Sequence, residues 1–366
     1  MSFSADDTQF MSRALYLAKK GIYTTAPNPN VGCVLVKEGE IVGEGWHQKA
    51  GEAHAEINAL NQAGKKAEGA TAYVTLEPCC HYGKTPPCTE ALLKAKVTRV
   101  VAAMVDPHSK VAGQGLKQLE SAGIFVEHGL LEEQAKALNL GFINRMQKRL
   151  PYVRCKLAMS LDGRTAMASG ESKWITSAAA REDVQRLRAK SGAIVTGVGT
   201  VLADDPSMTV RLDGVDTQPL RVVVDTNLSM PSDAKMLKEK GKTVLMTCSA
   251  DEHVTQALTD AGANIHMMPY CKKSVDLKSV LQQLSDMHIN DVLLETGATL
   301  SGAMLQAGLI DELIIYMAPV LMGNDARGLF ALPGLDSMQD KIELDIIDQR
   351  MVGQDIRFTA KVRQLN

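Results

Sequence analysis

The sequence predicts an α/β protein built from two successive domains, and three observations carry that prediction. At 366 residues the chain is too long for one ordinary hydrophobic core. Apolar patterns of helical and strand period alternate along its length, as they do where parallel strands are joined by helices. The alternation closes near Arg149, meets Pro151, which disfavours helix in the residue before it, and then starts afresh. The economical division is residues 1–148 and 151–366.

In the first part, Phe10 to Lys20 places Met11, Ala14, Leu15 and Ala18 on one helical face and stops at Gly21. Val31 to Val36 reads as a strand, Glu38-Gly39-Glu40 as a turn, and a second strand starts at Ile41. Ala55 to Ala63 is a helix ending at Gly64. Strands at Ala72–Leu76, Arg99–Val105 and Ile124–Val126 alternate with helices at Glu90–Ala95, Leu116–Ala122 and Leu131–Met146. In the second part, Tyr152–Met159, Ala193–Thr196, Leu220–Val224, Thr243–Thr247, Val292–Leu294, Leu313–Met317 and Ile356–Val362 read as strands. Helices fall at Ala178–Lys190, capped by Ser177, at Val275–Met287 and at Leu300–Ala307.

Composition narrows the function classes. With 45% hydrophobic and 22% charged residues the chain is globular rather than disordered. A net charge of −2 and the absence of a long basic run speak against binding a nucleic-acid backbone. Met1 to Asp7 lacks the apolar core of a signal peptide, and no apolar run is long enough to cross a membrane. Seven cysteines, an odd number scattered through a long chain, fit a reducing cytoplasm better than a disulfide framework.

One constellation proposes a chemistry. His54-Ala55-Glu56 is followed by Pro78-Cys79 and then by Cys88. One imidazole and two thiolates leave the fourth tetrahedral position of a zinc ion open to water, whose pKa the metal lowers to about 7. Glu56 is placed to move the water's proton to a substrate. The cysteine spacing is C-x8-C, not the C-x-x-C of nucleobase deaminases. From spacing alone a structural zinc, with Cys80 or His81 as fourth ligand, or no metal at all, stays open. The carboxylate favours a catalytic site, because a structural one gives it no role.

In the second part, Gly197-Val198-Gly199-Thr200 and Glu295-Thr296-Gly297-Ala298-Thr299-Leu300-Ser301-Gly302 place glycine where strands turn into helices. Such turns let backbone N–H groups approach a phosphate. Neither is a full G-x-G-x-x-G, and tight turns alone also account for them. Arg188 and Arg211, with Ser172, could grip a phosphate; read by spacing, Arg188 is equally a solvated helix residue beside Arg181 and Arg186.

The stretch Glu77-Pro78-Cys79-Cys80-His81-Tyr82-Gly83-Lys84-Thr85-Pro86-Pro87-Cys88, together with His54-Ala55-Glu56 and Ala26-Pro27-Asn28-Pro29-Asn30-Val31-Gly32, resembles the bifunctional deaminase/reductase family of riboflavin biosynthesis. The long insert between the cysteines is a hallmark of that branch of the cytidine deaminase-like superfamily. Lys156-Leu157-Ala158-Met159-Ser160-Leu161-Asp162-Gly163-Arg164, Ser172-Lys173-Trp174-Ile175-Thr176 and Leu202-Ala203-Asp204-Asp205-Pro206 resemble its reductase domain, so the likeness spans nearly the whole chain.

The resemblance implies a cytidine deaminase-like domain followed by a dihydrofolate reductase-like domain. It implies zinc on His54, Cys79 and Cys88, and Glu56 as proton shuttle. Asn28, His47, His81, Lys84, Asp106 and His108 would contact the deaminase substrate, although the family's Asp-Pro-Asn is here Asp106-Pro107-His108. NADPH would meet Ala158, Trp174, Thr200, Asp204, Thr226 and the loop of Gly297, Ala298, Thr299, Leu300, Ser301, Gly302 and Ala303. Ser172, Arg188, Met208, Arg211 and Glu295 would surround the phosphorylated reductase substrate, with Lys156 near the reacting sugar. The implied reaction deaminates 2,5-diamino-6-(5-phosphoribosylamino)pyrimidin-4(3H)-one at the ring carbon bearing the 2-amino group, then reduces the ribosyl to a ribityl chain. A homo-oligomer, dimer or tetramer, is also implied. The alternatives are a nucleic-acid base deaminase with an accessory domain and a zinc-stabilised binding protein.

Overall fold

The computed structural model describes residues 3–82, 86–108, 111–271 and 274–363. The chain divides into two compact units, Met1–Leu150 and Pro151–Asn366.

The first unit opens with helix α1, Ala5–Ala18. Its start lies five residues before the expected Phe10 because a capping box sets it: Asp7 N–H donates to Ser4 Oγ and Ser4 N–H donates to the Asp7 carboxylate, each at 3.0 Å. Strands β1, Gly32–Lys37, and β2, Glu40–Trp46, form a hairpin whose two turn residues, Glu38 and Gly39, both have positive φ, as a tight hairpin turn requires. Helix α2, Ala55–Ala63, leads to β3, Thr71–Val74; α3, Cys88–Lys94, to β4, Arg99–Ala102; and α4, Gln114–Ser121, to β5, Phe125–His128. The sheet order is β2-β1-β3-β4-β5, with β3, β4 and β5 parallel.

Strand alternation sorts the core into two layers. Cys33, Leu35 and Val74 pack with Ala55, Ala59, Leu92 and Leu119 of α2, α3 and α4. Val34, Val36 and Tyr73 pack on the opposite face with Met11, Ala14 and Leu17 of α1. Glycines on β2 bring α2 onto the sheet: a Cβ on Gly45 would sit 2.2 Å from the Ala55 carbonyl oxygen and one on Gly43 2.3 Å from that of Ala59. This contact fixes the start of α2, where His54 and Glu56 lie.

The expected single helix from Leu131 to Met146 is two, α5, Glu132–Leu138, and α6, Leu140–Lys148. The break falls at buried Asn139, whose side chain serves another segment. Asn30 N–H donates to its Oδ1 at 2.7 Å, and its Nδ2 donates to the Asn30 carbonyl at 3.0 Å.

The second unit runs β6, Tyr152–Ser160; β7, Arg164–Ala166; α7, Ala178–Ala189; β8, Ala193–Gly197; α8, Val198–Asp204; β9, Leu220–Val224; α9, Lys235–Lys238; and β10, Thr243–Thr247. It continues through α10, Glu252–Asp260; β11, Ala263–Met267; β12, Tyr270–Cys271; β13, Ser274–Val275; α11, Leu277–Asp286; β14, Asp291–Leu294; and α12, Ala298–Gln306. The last elements are β15, Glu312–Ala318; β16, Arg327–Gly328; β17, Leu344–Val352; and β18, Asp355–Val362. Nine strands form one sheet in the order β11-β10-β9-β8-β14-β6-β15-β18-β17, parallel from β11 to β15 and closed by two antiparallel strands. Ser177 caps α7 as expected, its Oγ accepting from Ala180 N–H. The β17 strand was not expected: its residues are almost all exposed, so no alternation of apolar and polar positions marks it.

Asp7 ties α1 to the sheet as well as capping it. Its carboxylate is 8% exposed and accepts from Tyr73 Oη at 2.7 Å and from Arg99 Nη1 at 2.6 Å. The Arg99 guanidinium holds the Asp7 carboxyl far below the usual carboxylate range. Because the folded pKa is depressed, this contribution is complete above the unfolded value of about 4 and is lost as pH falls through the folded one. Asp7→Asn is expected to destabilise the first unit at neutral pH by about 2 kcal/mol. That is below the usual range of about 3–5 for a severed buried pair, because Arg99 keeps Glu127 at 2.5 Å. The difference from wild type should shrink below about pH 4. Urea unfolding followed by Trp46 fluorescence in a Trp174→Phe background measures it.

Candidate active sites

Two helix N-termini and one strand end build the first site. His54 is the N-cap of α2, Cys88 the first residue of α3, and Cys79 lies just beyond β3. His54 Nδ1 stands 3.3 Å from Cys88 Sγ and 3.6 Å from Cys79 Sγ, and the three donor atoms lie within 4.8 Å of one another. A tetrahedral zinc with bonds of about 2.3 Å to sulfur and about 2.0 Å to nitrogen needs N···S separations of about 3.5 Å. The donor set fits that ion. Cys80 and His81, the candidate fourth ligands, are outside this group among the described residues, which leaves three protein donors.

The electrostatics suit a cation. The Cys79 thiol is held well below its usual range by hydrogen bonding from the Cys88 thiol, with His54 and the Cys88 N–H adding to it and burial opposing. Cys88 is pushed up by sharing its proton with Cys79, and burial adds to this. Glu56, in the first turn of α2, is 4% exposed, and burial together with the charge of Cys79 raises its carboxyl to about 7. A buried carboxyl near neutrality can both take and give a proton.

These groups open onto a cavity of about 420 Å³ lined by Pro27, Asn28, His47, Glu56, His81 and Asp106, among others. His47 is 2% exposed. Its Nδ1–H donates to the Ala53 carbonyl at 3.1 Å, leaving Nε2 to accept from the Asn28 amide at 3.0 Å. Burial lowers its pKa, consistent with a neutral ring. His47 therefore supports Asn28 while presenting little surface itself. Asp106 is half-buried and its carboxyl is pushed up by that burial; it accepts the His108 N–H at 2.8 Å. His108 is not among the lining residues, and Lys84 lies outside the described residues. Sequence reasoning missed Glu52 and Phe142, which also line the cavity. It also left Glu77 without a role; a carboxylate directly before the Pro-Cys at a strand end was the available signal.

The second unit gathers its candidates at the carboxyl ends of neighbouring parallel strands, where open α/β sheets bind ligands. Thr200 follows β8, Thr226 follows β9 and Gly297 follows β14, and these three strands are adjacent. The two glycine turns meet: Gly197 N–H donates to Thr296 Oγ1 at 3.3 Å, and a Cβ on Gly197 would sit 3.3 Å from Leu300. The stretch expected as a loop is the cap and first turns of α12. Gly297 and Thr299 are exposed there. Ser301 is fully buried and accepts from the Cys155 thiol, while a Cβ on Gly302 would meet the Ala331 carbonyl at 2.0 Å. Ser301 and Gly302 thus pack the helix against its surroundings, and Ala303 is exposed one residue on.

Arg188 grips Glu295 with two parallel bonds, 2.6 and 2.9 Å, and donates a third to the Thr209 carbonyl at 3.0 Å. A guanidinium has five N–H donors, so capacity for an anion remains. Lys156, on β6 beside Glu295, has its pKa lowered by burial, with the Glu295 charge opposing and Arg188 adding. Arg211 reaches the Thr209 hydroxyl at 3.3 Å. Met208 is 3% exposed and packs within the core. Trp174 is 71% exposed, with the Arg181 guanidinium 4.6 Å over its ring. Lys173 pairs with Asp204 at 3.3 Å. Ala158 and Ser172 are half-buried.

Comparison with known proteins covers the chain from end to end. Residues 4–104 match the cytidine and deoxycytidylate deaminase zinc-binding region, and residues 151–358 match the RibD C-terminal domain. The riboflavin biosynthesis protein RibD of Escherichia coli is 51% identical over 96% of this chain and 98% of its own length. That of Haemophilus influenzae is 48% identical over 98% of each. The structure superposes on Acinetobacter baumannii RibD with a TM-score of 0.92 at 49% identity, covering 98% of this chain and 99% of the other. It superposes on a diaminohydroxyphosphoribosylaminopyrimidine deaminase/5-amino-6-(5-phosphoribosylamino)uracil reductase from Thermotoga maritima with a TM-score of 0.89 at 32% identity, with the same coverage. A zinc-type donor set in a deaminase fold, followed by a reductase domain in one continuous match, leads to one conclusion: the chain belongs to the RibD family of riboflavin biosynthesis proteins.

Proposed function

We propose that the first unit deaminates 2,5-diamino-6-(5-phosphoribosylamino)pyrimidin-4(3H)-one and that the second reduces the ribosyl group of the product, giving 5-amino-6-(5-phosphoribitylamino)uracil. The enzyme is a bifunctional deaminase and reductase of riboflavin biosynthesis, with zinc and NADPH as cofactors. The observation that carries the division of labour is the three-donor group of His54, Cys79 and Cys88 with buried Glu56 beside it, opening on one cavity.

His54, Cys79 and Cys88 would hold zinc, which would supply a water acidic enough to ionise near neutral pH. The Glu56 carboxylate takes the proton released there and returns it to the substrate, so that ammonia rather than an amide anion leaves. Asn28, oriented by His47, offers the ring its remaining amide atoms, and Asp106 forms another part of the wall. His81 also faces the cavity, and Lys84 and His108 are assigned to the substrate by family likeness alone. In the second unit NADPH supplies the hydride. The N-terminal turn of α12 and the Gly197–Thr200 turn are suited to its phosphates, with Ala158, Trp174, Asp204 and Thr226 around it. Arg188 and Arg211, with Ser172, hold the substrate phosphate, and Met208 is assigned there by family likeness alone; Glu295 orients Arg188 through the paired bonds, and Lys156 stands by the sugar.

We assign the enzyme to the cytoplasm. In support, all seven cysteines are free, as a reducing compartment keeps them, and among the described residues no helix is long and apolar enough to cross a membrane. We also propose a homo-oligomer, dimer or tetramer. The edge strand β17 exposes Ile346, Ile347 and Met351, at 62%, 51% and 61%, and an apolar unpaired edge favours association.

Glu56→Gln is expected to lower ammonia release by about 10³-fold, with one zinc per chain retained and NADPH oxidation on the deaminated substrate unchanged. Full deaminase turnover in this variant would reject the role of Glu56. Chelation should remove ammonia release and spare the reductase. Arg188→Ala should raise the reductase KM about tenfold or more and leave deamination untouched; an unaltered KM rules out the phosphate contact. Sedimentation at micromolar concentration should show a dimer or larger species, and a monomer there would reject the oligomer.

A further inference from the structure

Glu77 immediately precedes Pro78-Cys79 and is 3% exposed. Four backbone N–H groups donate to its carboxylate. Asp106 and Gly113 reach Oε2 at 2.9 Å each, Gly115 reaches Oε1 at 2.8 Å, and Leu116 reaches Oε1 at 3.4 Å. Gly113 is the N-cap of the eight-residue α4, and Gly115 and Leu116 lie in its first turn. These are N–H groups that a helix start leaves without partners, and their dipoles favour a negative charge. A buried carboxylate is costly to desolvate unless it is fully bonded, and here both oxygens are.

The contact is close as well as polar. A Cβ on Gly115 would sit 2.2 Å from the Pro78 carbonyl oxygen. The Glu77 N–H donates to Met104 O at 2.9 Å, just past β4. One two-residue step thus joins three segments: the strand end that leads to Cys79, the residue Asp106 that lines the cavity, and the start of α4.

We infer that Glu77 is a positioning residue for the deaminase. Its carboxylate clamps Asp106 and the α4 N-terminus against the segment that carries Cys79, and so sets the distance between the wall that grips the substrate and the reacting end of the cavity. The inference rests on the deaminase reading proposed above. It separates grip from chemistry: loss of the clamp loosens the Asp106 wall while His54, Glu56 and Cys88, held by α2 and α3, keep their places.

The test is Glu77→Gln in the full-length, zinc-loaded protein. An amide of the same shape turns an NH₂ toward N–H groups that need an acceptor, so at least one pair of bonds is lost. The KM for the diaminopyrimidinone phosphoribosyl substrate is expected to rise about tenfold, the equivalent of one or two hydrogen bonds, with kcat within about threefold and zinc content and NADPH oxidation unchanged. Amide hydrogen exchange should accelerate about tenfold or more in at least one of the two pairs, Asp106 and Gly113 or Gly115 and Leu116, with zinc or without it. A lowered kcat at unchanged KM, or exchange at Asp106, Gly113, Gly115 and Leu116 all equal to wild type, overturns the clamp. If the variant fails to fold or loses zinc, Gly115→Ala decides instead. It keeps the carboxylate but forces α4 away from Pro78, and a raised KM supports the clamp while a kcat effect alone overturns it. Wild-type protein releasing no ammonia from this substrate would sink the deaminase reading, and the exchange measurement would still decide the clamp.

Discussion

Two thiolates and an imidazole cannot be crowded together in a protein interior unless something balances their charge, and the first unit is arranged around that constraint. His54 and Cys88 stand at the N-terminal ends of α2 and α3, where helix dipoles favour negative charge, and the Cys88 N–H donates to Cys79 Sγ at 3.3 Å. The donors reach one point because glycines on β2 let α2 lie directly on the sheet, while Cys79 arrives from beyond the end of β3, on the other side of β1. The same geometry buries Glu56 beside the cluster and raises its carboxyl toward neutrality, which a proton shuttle requires. The packing that brings α2 onto the sheet and the chemistry proposed for Glu56 are here one arrangement.

The second unit solves a different problem, that of holding a buried guanidinium and a buried carboxylate without leaving either charge unpaired. Parallel strands deliver their carboxyl ends, and the turns behind them, to one edge of the sheet. Arg188 is kept in place by two bonds to Glu295 and one to Thr209, so its remaining N–H groups need no reorganisation to meet an anion. Lys156 enters the same cluster from β6, where the parallel register with β14 sets it beside Glu295. A fixed cation supported by a buried carboxylate is a preorganised anion site.

Much of this was legible in the residues. The strands Leu220–Val224 and Thr243–Thr247 have the expected bounds because short runs rich in β-branched and apolar residues, broken only by Arg221, leave little room for another reading. The β17 strand was not legible, because it lies exposed at the edge of the sheet and carries no alternation. The division of Leu131–Met146 was hidden for another reason. Asn139 interrupts the helix to hold Asn30, more than a hundred positions away, and no local pattern records so distant a partner. Ser301 likewise reads as part of a glycine-rich phosphate turn, yet its hydroxyl meets Cys155 in the core.

By itself the sequence determined the kind of chemistry, because His54, Glu56, Cys79 and Cys88 are residue types that together serve hydrolysis at a metal, and the long insert between the cysteines tied them to one family. Periodicity and the proline at 151 also marked where a second domain begins. Tertiary structure decided how many donors converge, leaving Cys80 and His81 outside the group. It turned His47 into the support of Asn28 and gave Glu77 its four N–H partners. The physical reason is range: periodicity and residue type act within a few positions, whereas convergence and burial depend on which distant segments the sheet and its helices press together.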